Sequence, residues 1–136
     1  MWLIDIPKLR QLGLTRCCCV GSSDLSLYQA LQIFGLRQDD DSLHEISAEQ
    51  GQTILSRLLG TSLVDSIEAM PTEQVRLLTK EFIDAYREHG CRFFTNLSLA
   101  GERWSAKKSF TDSLFDGGVI AFGPIVSGCV WVEEDD

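Results

Sequence analysis

Gly117-Gly118-Val119-Ile120-Ala121-Phe122, then Gly123-Pro124-Ile125-Val126-Ser127-Gly128, then Cys129-Val130-Trp131-Val132-Glu133-Glu134-Asp135-Asp136 is the stretch that decides the fold class. Two apolar, β-prone runs bracket six residues dominated by turn formers, which is the signature of an antiparallel hairpin. Just upstream, Cys91-Arg92-Phe93-Phe94-Thr95-Asn96-Leu97 is aromatic and β-prone as well. The end of the sequence therefore predicts a small antiparallel sheet.

Before Gly90 the period is helical. Val75, Leu78, Phe82, Ala85 and Tyr86 form a continuous stripe after Pro71 and Glu73, so residues 72–88 read as a helix ended by Gly90. Ser47-Ala48-Glu49-Gln50 is a capping box ahead of Ile54, Leu55, Leu58 and Leu59, predicting a second helix over 48–59 with Gly60 as its stop. Ser23 as N-cap and Leu27, Tyr28, Leu31 and Phe34 predict a third, over 24–34. Residues 61–70 read as a short helix on the spacing of Leu63, Val64, Ile67 and Met70.

The remaining segments are less regular. Trp2–Ile6 suits a short strand or extended arm, residues 7–14 one or two helical turns, and Thr15–Val20 either a buried strand or a tight connection. Residues 98–116 read as a long polar connection carrying Trp104. The pattern is α+β, with N-terminal helices packed on a small C-terminal antiparallel sheet. Residues 1–136 fit one domain with a short acidic C-terminal tail.

Charge is distributed unevenly. Residues 1–108 hold all 12 basic residues and 14 acids, whereas residues 109–136 hold Asp112, Asp116, Glu133, Glu134, Asp135 and Asp136 and no base, for a net charge of −8. Such a field repels phosphate backbones and anionic lipid, which argues against nucleic-acid or membrane-surface binding and for a basic protein partner. Asp39, Asp40 and Asp41 form a second acidic cluster.

The five cysteines include three in a row, Cys17, Cys18 and Cys19, a spacing that suits neither a disulfide framework nor convergence on one metal ion. With no basic, apolar leader at Met1, the expectation is a cytoplasmic protein. His44-Glu45 begins like a zinc-protease motif, but Ala48 stands where its second histidine belongs. His89 suits a helix C-terminus. No cofactor, metal or catalytic group is expected from these patterns.

Aromatic side chains supply the candidate anchors. Trp131 alternates with Val130 and Val132, so either the valines face the core and Trp131 is displayed, or Trp131 is core and the valines lie outside. Trp104, beside Arg103, is the other candidate. The expected partner-binding set is then Asp112, Asp116, Trp104, Trp131, Glu133, Glu134, Asp135 and Asp136, with the terminal carboxylates projecting outward.

In size, acidity and α+β pattern the chain resembles small bacterial immunity proteins of toxin–immunity pairs. That resemblance implies an intracellular protein-binding module that neutralises a basic toxin by occluding its active site. A secretion chaperone for an effector protein, or a small enzyme whose site assembles from residues distant in sequence, are the alternatives.

Overall fold

The computed structural model describes residues 10, 12–37, 42–63, 67–100, 103–105 and 110–135. In chain order these form β1 (Leu14–Gly21), α1 (Leu27–Ile33), β2 (His44–Ile46), α2 (Ala48–Gly60), α3 (Thr72–Glu88), β3 (Arg92–Thr95), β4 (Ser98–Ala100), β5 (Arg103–Ser105), β6 (Phe115–Phe122) and β7 (Val126–Glu134). Five strands make one antiparallel sheet in the order β1-β7-β6-β3-β2, and β4 and β5 pair separately. The fold is α+β, as expected, but the sheet also recruits β1 from ahead of the helices and β2 from between them.

Local chemistry sets the helix ends. α1 begins at Ser26, three residues later than Ser23, because Ser26 and Gln29 form a reciprocal capping box. α2 uses the Ser47–Gln50 box, worth about 1 kcal/mol for the cap alone. α3 ends where Gly90 takes φ 74°, a left-handed geometry that a side chain resists. His89 sits at this cap, its Nδ1 2.8 Å from the Ala85 carbonyl.

The helix expected over 61–70 is not what the described part shows. Ser62 N donates to Ile67 O at 2.9 Å and Ala69 N to Gly60 O at 2.8 Å, closing a loop around a Thr61–Glu68 bridge. Residues 98–116 hold the β4–β5 hairpin within the expected connection. The expectation for Trp2–Ile6 lies outside the described residues, as does half of 7–14; where 7–14 is described, the expected helical turns are not seen, since residues 12 and 13 form a bend with Gly13 at φ 68° and Leu14 already opens β1.

Both faces of the sheet are covered, and this explains why β6 and β7 read as unbroken apolar runs instead of alternating. On one face Val119, Ala121, Val130 and Val132 pack under Leu55, Leu58 and Leu59 of α2 and Phe82, Ile83 and Tyr86 of α3. On the other, Ile120, Cys129 and Trp131 pack against Ala30, Leu31, Phe34, Leu36 and Phe110. Each such aliphatic or Phe side chain contributes about 1.5–3 kcal/mol by leaving water. No helix among the described residues is long and apolar enough to cross a membrane.

Neither reading of Trp131 holds, because each assumed one bare face. Trp131 is fully buried, 5.4 Å from the Phe110 ring centre, while Val130 and Val132 are fully buried on the opposite side. It is a core residue and not a displayed anchor. Trp104 lies in β5 opposite Leu99.

Candidate functional site

β7 runs to Glu134, so the terminal acids begin inside the sheet and not on a frayed tail. Alternation then sends consecutive carboxylates to opposite faces. Glu134 turns toward α2, where its Oε2 stands 3.5 Å from Arg10 Nη2 and its Oε1 accepts from Ser62 Oγ at 2.9 Å; Leu63 N also donates to it. Arg10 is fully withdrawn from solvent and donates to Leu58 O at 3.0 Å and Thr61 O at 2.9 Å. Burial lowers its pKa, and the Glu134 carboxylate opposes that shift.

Glu133 points the other way. Its Oε2 accepts from Arg16 Nη2 at 3.0 Å, and Arg16 Nη1 donates to Phe34 O at 3.0 Å, tying β1, β7 and the end of α1 together. Asp116 is buried too: Oδ2 accepts from Phe110 N at 2.9 Å, Thr111 N at 2.8 Å and Thr111 Oγ1 at 2.6 Å, so this carboxylate folds the 110–111 turn onto β6. The expectation that Asp116, Glu133 and Glu134 project outward is therefore corrected, since each is spent on the protein's own donors.

Two of the predicted acids remain at the surface. Asp135 accepts from Leu114 N at 2.8 Å, and Asp112 pairs with Arg37 while its side chain is fully exposed. They stand at the sheet end where β1 and β6 begin and β7 finishes. Leu14, paired with Glu133, is 59% exposed; Leu114 and Phe115 are 67% and 43% exposed. Asp136 and Asp39–Asp41 lie outside the described residues.

A second feature was not foreseen. A cleft of about 450 Å³, open to solvent, lies between β2 and the first turns of α2, lined by His44, Ile46, Glu49, Gln50, Thr53, Ile54, Leu97 and Ser98. Gln50 is held by its capping bond, and Glu49 stands 3.4 Å from Arg87 of α3. Three residues of strand leave no periodic signal, so β2 was illegible; its only trace is the capping box that starts immediately afterwards. The cleft combines an apolar floor with an imidazole and a carboxylate at its rim. Its openness suits recognition better than water-excluding acid–base chemistry.

The cysteines divide by strand geometry. Cys17 packs toward α2 and α3, and Cys18 toward α1. Burial raises the Cys17 thiol to about 12 and the Cys129 thiol well above its ordinary value. Among the described residues no cluster of His, Cys, Asp or Glu has the arrangement of a metal site. Compared with protein families, curated proteins and solved structures, the chain matches none.

Proposed function

We infer that this protein is an acidic protein-binding module that meets a basic partner. The observation that carries the reading is the sheet end at Leu14, Leu114 and Phe115, where three large apolar side chains stand exposed beside Asp112 and Asp135. Exposed apolar surface rimmed by charge is characteristic of docking sites. Leu14 follows the Glu133 side of the sheet and Phe115 the Glu134 side, so a partner would grip the sheet end from both faces. The net charge of −8 would speed encounter with a cationic surface at low salt.

Occlusion of the active site of a basic toxin, as an immunity protein performs it, is the form of this activity that we propose. The revised contact set keeps Asp112 and Asp135 and replaces Trp131 by Leu14, Leu114 and Phe115. The test is capture of the native partner from its host, followed by kinetics with the wild type and with a Leu14→Arg/Leu114→Arg variant. The variant should bind at least about tenfold more weakly. Raising the salt should slow association of the wild type. Equal affinities for the two proteins would overturn the assignment.

A further inference from the structure

β2 is one margin of the sheet: it pairs with β3, and among the described residues no strand lies on its other side. A bare strand margin offers backbone donors and acceptors at the spacing of an extended chain. In β2 the register turns Glu45 to the face where Arg92 pairs with it, and turns His44 and Ile46 toward α2 and the cleft. The floor of that cleft is apolar, with Ile46, Ile54 and Leu97 all buried. Its α2 rim carries exposed Glu49 and Thr53.

We propose that this cleft binds an extended peptide segment of a partner protein, which adds as a further strand against β2. One apolar side chain of the peptide enters over Ile46, Ile54 and Leu97, and a lysine or arginine two positions away faces Glu49, following the alternation of an added strand. Charge complementarity selects a basic peptide. The chain is strongly acidic, and Glu49 pairs with Arg87 in a contact exposed on both sides and readily exchanged for a peptide cation. This surface is distinct from the sheet end at Leu14, Leu114 and Phe115, which β1, β6 and β7 form.

The test begins with a displayed library of random nonapeptides selected on the full chain. Enriched sequences should alternate apolar and basic residues. A synthetic copy titrated by NMR should shift the amide signals of His44–Ile46 and Ile54. Thr53→Trp, which fills the cleft from an exposed helix position, should weaken binding at least about tenfold, and Glu49→Lys should reduce it for basic peptides. Leu114→Arg should leave it unchanged, which separates this site from the sheet-end surface. No enrichment, equal binding to Thr53→Trp, or a dimer of this chain that Thr53→Trp disrupts would each overturn the proposal.

Discussion

Arg10 Nη2 stands 3.5 Å from Glu134 Oε2 across 124 positions of sequence, and both side chains are withdrawn from solvent. A buried pair of this kind contributes little net stability over an apolar substitute, but losing one partner strands the other charge. Arg10→Met alone should therefore cost about 3–5 kcal/mol, and so should Glu134→Leu. The double variant Arg10→Met/Glu134→Leu should recover much of that loss. Urea unfolding of the three proteins checks the cycle; single-variant costs below about 1 kcal/mol would show that the pair is effectively solvated.

Alkali should unfold this protein through its buried acids. Burial raises Cys17 to about 12, and raises Cys129 and Tyr86 as well. A group whose folded pKa lies above its unfolded value supports the native state fully below the unfolded value, near 9 for a thiol here, and loses that support as pH climbs. The melting temperature should hold to about pH 9 and then fall steadily toward pH 12. Cys17→Val should flatten the slope. In the same pH range a thiol reagent should label exposed Cys19 first and Cys129 only with unfolding.

Tyr86 crosses β7 directly over Gly128, so that a Cβ there would lie 2.2 Å from the phenol oxygen and from the ring. Gly128→Ala should cost about 1–3 kcal/mol by overpacking, and adding Tyr86→Leu should return part of it because the obstacle is gone. Gly90→Ala offers the contrast. Its Cβ would meet nothing, yet φ 74° makes it unfavourable by about 1–2 kcal/mol, and no second-site change should relieve it. Thermal melts of the four proteins separate crowding from backbone conformation.

Legibility followed the range of the interactions involved. α2 and α3 were readable because a capping box and an apolar stripe lie within the helix they specify. The β6–β7 hairpin was readable from its turn residues. The side on which Trp131 packs was not, because its cover comes from Phe34 and Phe110, both distant in the chain. Likewise the terminal acids were visible as charge, but their direction depends on Arg16, which the β1–β7 register brings beside Glu133, and on Arg10, held by the Leu58 and Thr61 carbonyls at the end of α2. The cleft combines a strand margin, a helix turn and Leu97, which no window of sequence joins.

The strand order carries a kinetic consequence. Among the described strands β1 is synthesised first, and its sheet partner β7 is synthesised last. Until β7 arrives, Cys17, Cys18 and Val20 have nothing to zip against, and Trp131 cannot yet seal the pocket between Leu31 and Phe110. Pairing so distant in sequence folds slowly and leaves sticky edges waiting. β1 and β7 thus reach the native state together, and the sheet stays open to aggregation until β7 has emerged.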